Sequence, residues 1–370
     1  MKLAHLADSH LGIRQYHRQT SSGINQREAD VAQAFRTTID AVITAKPDAI
    51  VVAGDLFHSV RPTNAAIVFA FRQFQRLREA LPKAPLVLIA GNHDTPRSVE
   101  TGSILRLFEE LGVDVAADEA RRLVYPDLHL SVLAVPHQVV RAPDRAALEP
   151  DGNEKYRVLL VHAEIEGEYP VGRGAADYTG AVITKSELHL PDWSYVALGH
   201  YHTQHQVDKR AWYSGSLEYI GPNVWGEIAD DADHGSYGKG WLLVDLDTGA
   251  IERRPVPSAR KVLDLEPIQA EGKSAATVDD LIARRLAAVS GGIANKIVRL
   301  RVFDIPRHVA RELNHAAIRG YKAEALHCHI DLRRPEVHRS SGMGAPGRRQ
   351  TLPELVTSYL KGRPLPAELD

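Results

Sequence analysis

The segment LAHLADSH, residues 3–10, joins a short, mostly apolar run to a cluster of polar side chains. Leu3–Ala7 has the length and composition of a buried strand, and Asp8, Ser9 and His10 follow it directly. Helical patterns separate this run from later runs of the same kind, so the sequence predicts an α/β fold. The later runs, with the residues that follow them, are Ala49–Ala53 with Gly54-Asp55-Leu56-Phe57-His58, Leu86–Ala90 with Gly91-Asn92-His93-Asp94, Val158–Val161 with His162, and Tyr195–Leu198 with Gly199-His200-Tyr201-His202.

The five polar clusters contain side chains that bind divalent metals. In open α/β sheets functional groups gather beyond the carboxyl ends of the strands, so these clusters can meet at one site. Carboxylates and imidazoles without thiolates favour manganese, iron, zinc or magnesium. Asp55 can bridge two cations through its carboxylate, and Asn92 offers an amide oxygen. Two cations about 3.5–4 Å apart can hold and deprotonate a water molecule, which predicts a two-metal phosphodiesterase.

Each cluster taken alone has an ordinary structural explanation. An Asp-x-His sequence is common, and Gly54-Asp55 or Gly91-Asn92 at the end of a strand can simply form a turn. A single histidine such as His162 is more often a hydrogen-bonded polar residue than a metal ligand. The occurrence of all five clusters in order, each after an apolar run, favours one common site.

The order of these motifs resembles the calcineurin-like metallophosphoesterase superfamily. Within it, residues 8–12, 54–58 and 91–96 resemble the SbcD family, the nuclease subunits of the bacterial SbcCD complex. The resemblance is strong over residues 1–245, weaker over the segment that follows, and weakest in the tail. It implies a metallophosphoesterase β-sandwich flanked by helices, with a small α+β capping domain.

The resemblance also implies a role for each motif residue. His93 would stabilise the transition state or donate a proton to the leaving oxygen, and Asp94 would orient it. His58 stands where serine/threonine phosphatases carry a different Gly-Asp-x-x-Asp-Arg-Gly sequence, which argues against a protein phosphatase. The family prefers manganese. The implied ligands are Asp8, His10, Asp55 and His202 for a first metal, and Asp55, Asn92, His162 and His200 for a second.

Composition changes after the last of these motifs. Residues 245–249 indicate a turn and residues 253–257 carry two prolines, so we expect a domain boundary near residue 258. The predicted small unit contains a strand at Ile297–Phe303, a helix around residues 307–318 and a strand at Ala325–Leu332. The expected divisions are a nuclease domain at 1–258, a capping domain at 259–335, a basic Gly/Ser/Pro linker at 336–350 and a docking helix at 351–370.

The tail has the pattern of a short amphipathic helix. Its apolar residues follow an i, i+3, i+4, i+7, i+8 spacing, which places them on one helical face. In the resembled family a comparable segment binds the coiled coil of an SbcC-type ATPase, although the tail could instead fold back on its own domain. The chain carries no G-x-x-x-x-G-K-[S/T] loop, so such a motor would be a separate protein. The residues concerned are Leu352, Leu355, Val356, Tyr359 and Leu360.

A second amphipathic pattern lies between the metal motifs. Helices are predicted for Asp30–Ala45 and from an Asn64 cap to about Leu81. Val68, Phe69 and Ala70 extend the apolar surface of the second helix, which indicates either a deeply buried helix or a helix–helix dimer face. The resembled family forms homodimers through helices near residues 64–81 and 97–112.

Composition adds limits on location and partners. The formal net charge is −2, so the overall charge does not itself indicate a nucleic-acid partner. Cys328 is the single cysteine, which excludes an internal disulfide and favours a reducing compartment. Without a signal peptide or an apolar run near the roughly 18 residues that a membrane span needs, a cytoplasmic protein is expected. Candidate DNA contacts are His58, Arg14, His17, Arg18, Arg61 and Arg97, though any one of them could be an ordinary solvated charge.

Three functional hypotheses follow. The first is a metal-dependent DNA nuclease subunit, exonucleolytic on double-strand ends and endonucleolytic on single strands or hairpins, which acts in double-strand-break repair with an SbcC-type ATPase. The second is a phosphodiesterase or phosphomonoesterase for nucleotides or other small substrates. The third, a non-catalytic DNA-binding scaffold, is disfavoured by the complete ligand set.

Overall fold

The computed structural model describes residues 1–96, 102–145, 147–150, 152–168, 181–236, 238–335 and 357. Within them the strands are β1 (Lys2–Leu6), β2 (Ala49–Val52), β3 (Leu86–Ile89), β4 (Asp114–Ala116), β5 (Arg121–Tyr125), β6 (Leu130–Val135), β7 (Tyr156–His162), β8 (Glu164–Ile165), β9 (Val182–Ile183), β10 (Tyr195–Gly199), β11 (His205–Asp208), β12 (Ala211–Tyr213), β13 (Gly240–Asp245), β14 (Ile251–Pro255), β15 (Val262–Gln269), β16 (Ile297–Phe303) and β17 (His327–Leu332). The helices are α1 (Gln26–Ala45), α2 (Asn64–Ala80), α3 (His137–Arg141), α4 (Val224–Asp233), α5 (Ala275–Ala287), α6 (Arg307–Glu312) and α7 (His315–Glu324), with 3-10 turns at Ile104–Leu111, Pro126–Leu128 and Leu190–Asp192.

Two six-stranded sheets form the two layers of a sandwich. The first has the order β14-β13-β1-β2-β3-β4, in which β1 to β4 are parallel and β13 is antiparallel to β1. The second has the order β11-β12-β10-β7-β6-β5 and is parallel from β12 to β6. Leu3, Val51 and Val87 of the first sheet pack in one buried cluster with Val132 and Leu160 of the second. The predicted α/β class and the expected β-sandwich are confirmed.

Helices α1 and α2 cover the outer face of the first sheet. In α1, Val31, Phe35 and Ile39 are buried in the cluster that contains Leu6 and Val52 of the sheet. Their i, i+4 spacing puts these side chains on one helical face, as the sequence predicted.

The ends of α1 and α2 follow from capping residues. The Asn25 side chain accepts hydrogen bonds from two amides in the first turn of α1, and Lys46 ends that helix in a left-handed conformation. The expected cap of α2 at Asn64 is wrong by one residue, because the Thr63 hydroxyl accepts from Ala66 N. The interpretation of α2 as deeply buried is also wrong for Val68, whose exposed fraction is 48%.

A separate C-terminal unit follows β14. Strands β15, β16 and β17 form a parallel sheet, and Val298, Leu300 and Val302 of β16 are buried in a cluster with Val278 and Ile282 of α5. The helix predicted around residues 307–318 is two helices, since α6 ends at Glu312 and Asn314 caps α7. The last predicted strand begins two residues later than expected, at His327.

Two arginines join this unit to the sandwich. Arg18 donates to the carbonyls of Ala323, Glu324 and Ala325 at the end of α7. Arg260, in the connection between β14 and β15, donates to both carboxylate oxygens of Asp30 on α1 at 3.2 Å. The predicted linker and docking helix at 336–370 lie outside the described residues except for Thr357.

No helix in the described part of the chain combines the length and the apolar character that crossing a membrane requires.

One buried polar pair lies between the two sheets. His5 of β1 is 0% exposed, and its Nδ1 shares a hydrogen bond of 2.9 Å with the Tyr195 hydroxyl of β10. Burial lowers the pKa of His5 from 6.5 to about 3, since a charged imidazole loses its hydration in this core. Folding therefore favours the neutral form of His5.

This lowered pKa predicts a loss of stability in mild acid. The folded protein binds fewer protons at His5 than the unfolded chain, so the stabilisation is complete above pH 6.5 and is lost as the pH falls toward 3. Between pH 7 and 5.5 the free energy of unfolding of the wild type should fall by about 1 kcal/mol more than that of His5→Gln. Denaturant titrations at both pH values measure it. Equal slopes for His5→Gln and the wild type would contradict the assignment.

Candidate metal centre

The polar residues that follow β1, β2, β3, β7 and β10 meet at one place. Asn92 Oδ1 lies 2.9 Å from His162 Nε2 and 3.1 Å from His200 Nδ1, which connects both sheets. This follows from the topology, because these five strands are parallel neighbours within their sheets and end at the same edge. Three groups have ligand atoms that all lie within 4.8 Å of one another: Asp8, His10 and His202; Asp55, His162 and His200; and His10, His58 and His93.

Four of the predicted ligands have unusual backbone conformations. The φ angles are 49° for Asp8, 45° for His10, 50° for Asp55 and 105° for His200. Side-chain-bearing residues rarely adopt positive φ, and such strain is concentrated at functional sites. Backbone hydrogen bonds between the loops after β1 and β2 hold these conformations, from Asp8 N to Gly54 O (3.1 Å) and from His10 N to Asp55 O (2.9 Å).

Two glycines allow these loops to come into direct contact. A Cβ atom at Gly91 would lie 2.1 Å from Asp55 Oδ1, and one at Gly199 would lie 1.8 Å from Ala53 O. Both distances are far shorter than van der Waals contact. The Gly91 and Gly199 positions therefore require glycine so that the strand ends can close around the carboxylates.

The centre concentrates buried charge. Burial opposes ionisation of Asp55, but His162 and His10 hold the pKa of this carboxyl well below its usual range. Burial alone would lower the pKa of His162, yet Asp55 and Asp8 raise it to about 9. Burial raises the pKa of Asp8 to about 6. Buried carboxylates require compensating positive charge, and here the His162 imidazole, with its raised pKa, supplies part of it.

The donor atoms fit divalent metals. His10 Nε2 is buried, has no hydrogen-bond partner among the described residues, and lies 3.5 Å from Asp55 Oδ2. His162 Nε2 lies 3.4 Å from the same oxygen, while its Nδ1 donates to the Ala53 carbonyl at 2.7 Å. Without metal, Nε2 carries a proton toward Asn92 and Asp55; a cation in place of that proton would use the Nε2 lone pair, with the ring orientation already fixed by the bond from Nδ1. Carboxylate, amide and imidazole donors at these distances are a suitable set for manganese, iron or zinc.

His93 and Asp94 have separate partners. The His93 amide donates to Asp55 Oδ1 at 2.8 Å, and its Nδ1 lies 2.8 Å from the His58 carbonyl and donates to it. The Asp94 carboxylate, expected to orient His93, accepts instead from the amides of Leu56, Phe57 and Gly91. Asp94 therefore fixes the loops that carry the centre, and the His58 carbonyl orients the His93 ring.

The predicted DNA contacts that the structure describes have different surroundings. His58 lines the central pocket together with His93, His200 and His202, beside Ile220, Gly221 and Pro222. Arg14 instead pairs with Glu28 at 2.9 Å, and Arg18 caps α7. His17 is exposed in a cleft with Tyr16 and His327. Arg61 is exposed, and Arg97 lies outside the described residues.

Two buried glutamates near the centre are absent from the sequence prediction. Glu164 Oε1 lies 3.5 Å from His200 Nε2, and Glu227 Oε1 lies 3.5 Å from His202 Nδ1. Glu164 could have been found, since it follows the predicted ligand His162 by two residues. Glu227 lies on α4, and no local pattern marks it.

Comparison with known proteins agrees with this geometry. A family model described as calcineurin-like phosphoesterase matches residues 1–204. The chain belongs to that family. The expectation of a metal-dependent phosphoesterase is thereby confirmed at the level of the family, whose members use divalent metals.

Several archaeal proteins named DNA double-strand break repair protein Mre11 are similar to this chain. The protein from Methanocaldococcus jannaschii is 30% identical over 266 residues, which cover 68% of this chain and 66% of the relative. That from Sulfurisphaera tokodaii is 30% identical over 55% of this chain and 49% of the relative. The protein from Methanococcus maripaludis is 23% identical over 85% of this chain and 86% of the relative. The chain thus spans just under two thirds of the length of the first of these relatives and about half the length of the second.

The close approach at Gly91 predicts a large effect of one methyl group. Gly91→Ala should lower the free energy of unfolding by about 1–3 kcal/mol, because the new Cβ must displace Asp55 or the loop after β3. Gly320→Ala is the control: among the described residues, nothing beyond the neighbouring backbone of α7 lies within 4 Å of the added Cβ, so it should leave stability unchanged or raise it by up to about 1 kcal/mol. Denaturant unfolding measures both, and equal effects would contradict the described approach.

Proposed function

We propose that this chain is the nuclease subunit of an SbcD-type DNA double-strand-break repair complex. It would cleave double-strand ends exonucleolytically and single strands or hairpins endonucleolytically. The observation that supports this most directly is the convergence of a full ligand set for two metals in one pocket. The set consists of Asp8, His10, Asp55, Asn92, His162, His200 and His202.

The proposed ligands divide into two sites that share Asp55. Asp8, His10, Asp55 and His202 would hold the first metal, and Asp55, Asn92, His162 and His200 the second. The structural groups support this division, since one contains Asp8, His10 and His202 and another contains Asp55, His162 and His200. Divalent metals, for which we propose Mn²⁺, would supply Lewis-acid polarisation of a phosphate and a lowered pKa for an attacking water.

His93 is the proposed acid. Its Nδ1 is engaged by the His58 carbonyl, so Nε2 is the ring atom that can pass a proton to the leaving oxygen. The amide of His93 is anchored on Asp55, which keeps the ring at a fixed distance from the ligands. Asp94 is a positioning residue, because its carboxylate holds the Gly54–His58 and Gly91–Asp94 loops together.

DNA is the proposed substrate because the similar archaeal proteins are named for DNA double-strand break repair. His58 is the predicted contact that lines the pocket and is therefore the first candidate for touching the scissile strand. A phosphoesterase for nucleotides or other small substrates is the alternative. It would cleave bis-p-nitrophenyl phosphate with Mn²⁺ but leave a hairpin DNA intact.

We also propose two protein partners. An SbcC-type ATPase would supply the motor and bind the tail at residues 351–370. A second copy of the chain would pack along α2 and the segment near residues 97–112. The exposed side chain of Val68 on α2 supports this proposal, because it offers apolar surface for such a contact.

Two substitutions separate metal binding from turnover. Asp55→Ala should lose both Mn²⁺ binding and cleavage of hairpin DNA. His93→Ala should bind Mn²⁺ with nearly unchanged affinity and cleave about 100- to 10,000-fold more slowly, because it removes the proton donor and no ligand. Calorimetric titration with Mn²⁺ and a gel assay measure the two properties.

His308→Ala on α6 is the control for these substitutions, since it removes an exposed histidine away from the pocket. It should match the wild type in both measurements. Full activity in His93→Ala would contradict the assignment of the acid, and metal binding by Asp55→Ala at wild-type affinity would contradict the shared ligand.

The docking role of the tail predicts a selective loss. Deleting residues 348–370 should abolish binding of an SbcC-type partner in a pull-down and spare Mn²⁺-dependent cleavage of bis-p-nitrophenyl phosphate, since the ligands lie at residues 8–202. Unchanged partner binding by the shortened chain would refute the docking role.

A further inference from the structure

A buried ion pair lies behind His202. Glu227 Oε2 and Lys239 Nζ are 2.8 Å apart, and each side chain is 1% exposed. The other oxygen, Glu227 Oε1, lies 3.5 Å from His202 Nδ1 and accepts from the Gly221 amide. Lys239 Nζ also donates to the His202 carbonyl at 2.9 Å. The pair therefore contacts both the ring and the backbone of one proposed ligand.

The pair is itself held from several directions. Lys239 Nζ lies 3.8 Å from Asp231 Oδ1 and 4.5 Å from the centre of the Tyr219 ring. The Tyr219 hydroxyl donates to Asp231 at 3.0 Å. The ammonium thus has a fixed position, and through it the Glu227 carboxylate has one too.

Stability alone gives no reason for this arrangement. The attraction within a buried ion pair is largely offset by the cost of removing both charges from water, so such pairs contribute little net stability. A carboxylate next to the distal nitrogen of a metal-bound histidine has a known physical effect: it fixes the tautomer and raises the basicity of the coordinating nitrogen. The position of Glu227 matches that role.

We propose that Glu227 is a positioning residue for His202. Its ionised carboxylate, 3.5 Å from Nδ1, would accept a hydrogen bond from Nδ1–H when the ring binds the metal through Nε2, while Lys239 fixes the carboxylate and the His202 backbone. The inference rests on the proposed function, in which His202 is a ligand of the first metal.

A calorimetric titration of the metal-free chain with Mn²⁺ tests the positioning role of Glu227. Glu227→Gln should weaken Mn²⁺ binding at one site by about 10- to 100-fold, because the neutral amide is a poorer acceptor for the Nδ1 proton. The cobalt(II) form of the same variant should also show a changed visible absorption spectrum, which reports the ligand field and not the rate of cleavage.

Glu218→Gln is the matched control. Glu218 is equally buried, but its carboxylate accepts from the amides of Tyr219 and Ala259 and lies 3.6 Å from Arg27 Nη2. Both substitutions remove a buried charge and should destabilise the fold, but Glu218→Gln should change Mn²⁺ affinity less than threefold. Glu227→Asp, which keeps the charge beside Lys239 and shortens the side chain, should show an intermediate loss and serves if the amide variant does not fold.

The outcomes separate the two levels of the proposal. A wild-type chain that binds no Mn²⁺ would overturn the proposed function and this inference together. A wild-type chain that binds Mn²⁺, with folded Glu227 variants of equal affinity, would overturn the positioning role alone. Equal losses in Glu227→Gln and Glu218→Gln would also overturn it, since the effect would then be a general consequence of lost buried charge.

Discussion

The rest of the structure depends on keeping the Asp55 carboxylate charged inside the protein. Asp55 is 1% exposed, and its compensation comes from His10, His162 and the amide of His93, which follow three other strands. These residues can meet only if neighbouring strands end side by side at the same edge of each sheet. The strand register ensures this, because Gly199 pairs with His162 in the second sheet and Leu6 pairs with Val52 in the first. The β-sandwich therefore positions the groups that allow the Asp55 carboxylate to stay ionised while buried.

The strand limits and the residues at the strand ends could be predicted from the sequence, because they depend on neighbouring residues in the chain. The five strands begin and end within about two residues of the predicted limits, because an apolar run and the polar residue that stops it are adjacent in the chain. The residues expected as ligands meet for the same reason, since each sits at the end of its strand. The cap of α2 shifted from Asn64 to Thr63 because both side chains can accept an amide, and only the backbone conformation decides between them.

Features that depend on distant contacts could not be predicted. Asp94 adjoins His93 in sequence, yet its carboxylate accepts from amides of two different loops. Glu227 approaches His202 only because α4 packs beside the loop after β10. Nothing in the residues around either side chain encodes these partners. Adjacency in sequence was a sound guide to which residues share the site and a poor guide to which of them touch.

The arginines near the motifs show why local basic residues are a weak sign of a DNA surface. Arg14 pairs with Glu28, Arg18 caps the carbonyl end of α7, and Arg27, which is 0% exposed, pairs with Asp30. The last carbonyls of an α-helix lack partners within the helix, and a buried carboxylate needs a positive charge nearby. Arginines near the motifs therefore stabilise the fold itself. Arg27 is buried and cannot reach a phosphate, whereas Arg14 and Arg18 are exposed and already have partners in the protein. The proposal of a DNA substrate therefore rests on the names of the similar proteins, since the metal ligands suit any phosphodiester and the nearby arginines have other partners.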